Sequence, residues 1–188
     1  MTAKQAFKGV QRELREIGIF HGVLDTIELR VTRVPSWVIA ARGWFFDCGV
    51  GILPRFLGWR EGVIYLPSNM ECQRDLPLVI RHEFAHAWAW KNPEFFRKPW
   101  FRQTFGRSYL GDKWPTIRFR CFEASRYYGT HASAYATTSP AEDFAETFET
   151  YMRFRRTLER FASRPGLYRK LRAVEAAVKT QRKEAYGK

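Results

Sequence analysis

Cysteine is scarce in this sequence: Cys48, Cys72 and Cys121 are odd in number, far apart and without a C-x-x-C pair. That pattern indicates neither a disulfide framework nor a cysteine-ligated zinc site, and it fits a reducing, cytoplasmic setting. Long hydrophobic runs are also missing. None approaches the roughly 20 apolar residues that a membrane helix needs, and the opening MTAKQAFKGVQRELREIG is patterned as an amphipathic helix instead of a signal peptide, so no membrane span is expected. Acidic residues are few, 19 against 32 lysines and arginines, which leaves a net charge of +13 and an isoelectric point near 10.1. The imbalance is uneven: from Arg153 to Lys188 there are 12 basic and 3 acidic residues, +9 of the total. Such a segment attracts polyanions, nucleic acid among them, by salt-sensitive electrostatics, or it serves as a solvated helical face.

What is present describes a packed protein. With 188 residues, 45% of them hydrophobic and 27% charged, the chain suits a single domain over 1–188 with a basic helical C-terminal segment from about 153 to 188. Ala3, Ala6, Phe7, Val10, Leu14 and Ile17 recur at helical spacing between Thr2, a capping residue, and Gly18, a terminator. From Thr26 to Arg33 the apolar Ile27, Leu29 and Val31 alternate with polar neighbours, as in a half-buried strand. Residues 37–41 and 62–66 read as further strands, with glycine-rich turns over 43–62 between them. Asp75 and Pro77 open a helix of about 16 residues that Pro93 stops. Residues 94–131, rich in aromatics and arginine, predict irregular chain with short helical pieces. Two more helices are expected, from Ser139 and Pro140 to about Leu158 and from Pro165 to Lys183.

The 75–92 helix contains His82-Glu83-Phe84-Ala85-His86, an H-E-x-x-H motif. Residues four apart share a helix face, so both imidazoles can meet one Zn²⁺ and supply two of the three protein ligands of an open tetrahedral site. Glu83 projects beside that position, where its carboxylate can take a proton from water whose pKa the metal has lowered to about 7. The alternative is a pair of partly buried structural histidines.

A third ligand has to come from elsewhere. Glu142, Asp143, Glu146 and Glu149 place four acids within eight residues, with no base among them, in a chain that is otherwise cationic. Glu142 and Glu146 stand at i,i+4 and repel unless a cation neutralises them. Ser139 and Glu142 also spell a helix-capping box, and Phe144, Phe148, Tyr151 and Met152 occupy the face opposite Glu142, Glu146 and Glu149. An amphipathic helix with an acidic solvent face has the same pattern.

These motifs resemble the gluzincin metallopeptidases, in particular anthrax lethal factor-like peptidases and related bacterial zinc-binding metallopeptidases. Their pattern of a tyrosine, a short polar link and E-x-F-A-E-x-F after the histidine helix is matched by Tyr135, then Ala-Thr-Thr-Ser-Pro-Ala, then Glu142-Asp-Phe-Ala-Glu146-Thr-Phe148. The resemblance implies Glu142 as the third ligand of one zinc ion, Tyr135 as a hydroxyl donor to the oxyanion, and Glu146 as an acceptor for a ligand histidine. It implies an α+β, zincin-like fold with a small mixed sheet, an H-E-x-x-H helix and a downstream glutamate helix. The implied activity is hydrolysis of protein or peptide substrates, with Glu83 as general base.

His131 is a rival third ligand, as in three-histidine zinc peptidases such as the DNA-associated SprT-like group, although it lies 45 residues beyond His86, far for that group. Asp143 and Glu146 rank after it. A protease of nucleic-acid-bound proteins and a non-enzymatic basic nucleic-acid-binding protein are the competing functions. In a zincin an edge strand beside the active helix pairs with substrate, and residues 62–66 are the candidate, with an interior strand as the alternative. The 94–131 segment would wall the cleft, form core, or stack on single-stranded nucleic acid.

Overall fold

A computed structural model describes residues 1–19, 22–32, 44–46, 62–68, 75–106, 109 and 128–187. The strand expected over 37–41, most of the 43–62 turns and all three cysteines lie outside the described residues. The chain divides into two compact units, Met1–Lys91 and Asn92–Lys188.

In the first unit, α1 spans Ala3–Glu16 and opens as its sequence dictates. The Thr2 hydroxyl accepts from the Gln5 N–H while the Gln5 carboxamide accepts from the Thr2 N–H, so two otherwise orphaned donors are satisfied reciprocally. Gly18 follows in the left-handed region at φ 80°. A 3₁₀ turn over Gly22–Thr26 leads into β1, Glu28–Thr32; β2 is Trp44–Phe46 and β3 Val63–Pro67. The sheet is small and mixed, in the order β1-β3-β2, with β1 parallel and β2 antiparallel to β3. All five β3 residues are buried, as a continuous apolar strand covered on both faces should be.

Two strand expectations need correction. The 62–66 segment is an interior strand among the described residues, since β3 pairs with β1 from Val63 to Pro67 on one side and with β2 from Val63 to Tyr65 on the other, Ile64 standing opposite Leu29 and Phe45. The inward row of β1 also does not hold along its length: Ile27 is buried, whereas Val31 is 40% exposed.

The next helix, α2, spans Leu76–Lys91, 16 residues as expected. The Asp75 carbonyl accepts from Leu78 and Val79 N–H groups, the backbone role of an N-cap. Its apolar residues surround the axis, and Leu76, Val79, Ile80, Phe84, Ala85 and Trp88 are all buried, so it is a core helix. It is held against α1 by Phe84 stacked on Phe7, centroids 5.4 Å apart, and by a two-pronged Arg81–Glu13 pair at 2.8 and 2.9 Å. Gly62, at φ 74°, turns the chain into β3 beside the Trp90 ring, which an added Cβ would meet at 3.6 Å.

The second unit is helical. It comprises α3 (Pro93–Arg97), α4 (Pro99–Phe105), a 3₁₀ turn (Tyr135–Thr137), α5 (Pro140–Phe154), a second 3₁₀ turn (Leu158–Phe161) and α6 (Pro165–Tyr186). α5 stops at Phe154, earlier than expected, because the chain changes there to a turn and the 3₁₀ piece; α6 runs three residues beyond Lys183. The core is aromatic. Phe144 of α5 packs edge-on against Phe96, Phe101 and Phe105 at 4.9, 5.8 and 5.7 Å between centroids. The described phenylalanines of the 94–131 segment are therefore core. Helices together with a small mixed sheet make the protein α+β. No helix among the described residues is long and apolar enough to cross a membrane.

Candidate metal centre

On an almost wholly buried helix, the half-open positions of α2 that recur every turn are Leu78, His82, His86 and Trp90. The i,i+4 spacing thus sets both imidazoles on one strip. Their Nε2 atoms face each other at 3.2 Å, the rings crossing at 73°. Two nitrogens bound to zinc at 2.0–2.1 Å in tetrahedral geometry stand about 3.3 Å apart, so the pair has the spacing of two zinc ligands. Glu83, next along the helix, is buried at 6% exposure. A carboxylate so far out of water is costly and is kept where chemistry or a partner needs it.

In the second unit the acids of α5 do not form a solvent face. Asp143 and Glu149 are buried, and Glu142 and Glu146, one turn apart, are half-buried. Ser139 caps α5 by accepting from the Glu142 N–H at 3.1 Å; that bond uses the backbone of Glu142 and not its carboxylate. Tyr135 sits in the 3₁₀ turn before α5, 54% exposed, its carbonyl accepting from the Thr138 N–H and hydroxyl.

His131 has partners inside its own unit. Nδ1 is 2.8 Å from the Thr130 hydroxyl and Nε2 is 3.6 Å from Asp143 Oδ2. Burial, and then the Lys170 ammonium, lower its pKa to about 4, so it is neutral at pH 7. Asp143 forms a buried pair with Lys170, Nζ to Oδ2 2.5 Å, with the Thr147 hydroxyl at 3.5 Å. Burial pushes its carboxyl up to about 6, against the downward pull of Lys170. Sequence reasoning missed this pair, because Lys170 is one base of a basic segment, 27 residues from its partner.

His82, His86 and Glu142 lie close enough to hold a metal: one ligand atom from each falls within 4.8 Å of the others. Two imidazole nitrogens and a carboxylate oxygen are a zinc donor set that leaves the fourth position open. A family model described as "putative zinc-binding metallo-peptidase" matches residues 68–185, more than half of the chain. The chain belongs to that family. No curated protein and no solved structure matches it. The match to the zinc-binding metallo-peptidase family takes in the H-E-x-x-H helix, the 3₁₀ turn with Tyr135, all of α5 and most of α6.

Proposed function

We propose that the chain is a zinc-dependent endopeptidase that holds one zinc ion through His82, His86 and Glu142. The observation carrying this reading is the 3.2 Å spacing of the two Nε2 atoms, with a carboxylate oxygen inside the same 4.8 Å group. Glu142 is preferred to His131 because both His131 ring nitrogens already face partners in the second unit. A zinc ion held there would polarise the scissile carbonyl and lower the pKa of water. Glu83 takes the proton of the attacking water and delivers it to the leaving amine; its position next to His82 on a rigid helix suits both transfers. Tyr135 donates its hydroxyl to the oxyanion as the carbonyl carbon becomes tetrahedral, and Glu146, one turn beyond Glu142, accepts an imidazole N–H and fixes that ring. A zincin-like fold and the likeness to anthrax lethal factor-like peptidases belong to the same proposal; the stretch from Tyr135 to Phe148 supports them.

Glu83→Gln separates ligand from base. The variant is expected to retain one zinc per chain by elemental analysis and to lose peptide hydrolysis by on the order of 100-fold or more. A variant that keeps its zinc and hydrolyses peptides at the parent rate overturns the role of Glu83. A parent chain that takes up no zinc overturns the whole reading.

A further inference from the structure

The second unit carries a surface that the metal chemistry does not use. At 100° per residue, Arg169, Arg172, Lys179 and Lys183 project from one side of α6, and all four are exposed. Arg172 and Lys179 share the Glu175 carboxylate at 2.7 and 2.8 Å, while Arg169 and Lys183 have no ion pair among the described residues. The row therefore keeps a net positive charge over about 21 Å of helix. Beside it opens a half-open cavity of about 280 Å³, walled by Ala173, Ala176 and Ala177 of α6 on one side and by Phe95 and Trp100 on the other. At its rim the Lys98 ammonium lies over the Phe95 ring and 3.4 Å from Glu184.

We propose that this surface docks an acidic peptide segment carrying one apolar side chain, which enters the cavity while neighbouring carboxylates meet the cation row. Charge complementarity selects an anionic partner, and the methyl and ring lining selects an apolar anchor. A nucleic acid fits less well. Base stacking needs an open ring face, but Phe95 and Trp100 are tilted at 48° to each other, Trp100 is pinned by its Nε1–H donating to the Phe95 carbonyl at 3.0 Å, and Lys98 covers the Phe95 face. The hydroxyl of Thr180, also in the lining, already donates to the Ala176 carbonyl, so it has no proton left for an acceptor on a base edge. The proposal uses residues of the second unit alone, so it stands or falls independently of the zinc reading.

The test is fluorescence anisotropy with the full chain and a labelled decapeptide of glutamates interrupted by one central leucine. The peptide is expected to bind, more weakly as salt rises, and replacing its leucine by serine is expected to weaken binding at least about tenfold. Ala176→Glu, an exposed helical position that would put an anion at the cavity mouth, should weaken it to a similar degree; the Arg169→Ala/Lys183→Ala chain should flatten the salt dependence with the helix intact by circular dichroism. Absence of binding overturns the proposal. So does equal affinity for the leucine and serine peptides, affinity unchanged by Ala176→Glu, or oligothymidylate binding more tightly than the peptide.

Discussion

Lys170→Met removes the cation from a pair whose members are 8% and 6% exposed and whose charged atoms are 2.5 Å apart. Truncating one partner of a buried ion pair leaves the other charge without compensation, and such losses run to about 3–5 kcal/mol. The loss should depend on pH, with a definite sign. Burial raises the Asp143 carboxyl to about 6 while Lys170 pulls it down. Without Lys170 it rises further, so the native variant can escape the penalty by taking a proton, and it does so more readily in acid. A group whose folded pKa exceeds its unfolded value loses stability as pH climbs through the folded value. The cost of Lys170→Met should therefore be largest at pH 8, about 3 kcal/mol or more, and smaller at pH 5. Urea unfolding followed by circular dichroism at both pH values measures it, with Asp143→Asn and the double variant closing a mutant cycle. The double variant should recover most of the loss, because the uncompensated charge is gone. A cost below about 1 kcal/mol at pH 8, or single effects that simply add, would refute the reasoning.

Phe84→Ala empties a site that is 1% exposed and removes the ring stacked on Phe7, so it should cost about 3–5 kcal/mol in urea unfolding, and a cost under about 1.5 kcal/mol would mean that α1 and α2 are not packed as described. His131, with its pKa lowered to about 4, takes up a proton in the unfolded chain before it does so in the native one. Stability should therefore fall as pH drops from 6.5 toward 4, and His131→Asn should remove that loss; a melting-temperature difference between parent and variant that is the same at pH 7.5 and 4.5 contradicts this. Tyr135→Phe should lower kcat with KM little changed, whereas a rise in KM alone would assign the hydroxyl to substrate binding.

Local signals were legible in the sequence where a few neighbouring residues decide the structure. Thr2 with Gly18, Asp75 with Pro77 and Pro93, and Ser139 with Pro140 each mark helix boundaries locally, and α1, α2 and the start of α5 begin where those residues stand. The histidine pair was legible for the same reason, since i,i+4 spacing on a helix is a local fact. Pairings between distant residues were not. The central place of β3 depends on β1, 35 residues earlier in register, and on β2; apolar strands at a sheet edge and in its interior spell alike. The acids of α5 showed the same ambiguity, since Glu142, Glu146 and Glu149 have the spacing of a solvated face and Glu149 is nonetheless buried. Glu142 itself entered through likeness to known peptidases as much as through its chemistry, because several carboxylates within eight residues were equally able to bind a cation.

Zinc K-edge X-ray absorption on the zinc-loaded chain tests the proposed ligand set most directly. The proposed ligand set predicts two imidazole nitrogens and light oxygen or nitrogen donors at about 2.0–2.2 Å, with no sulfur, and one imidazole fewer in His86→Ala. A sulfur shell near about 2.3 Å, or a spectrum unchanged by His86→Ala, would contradict it.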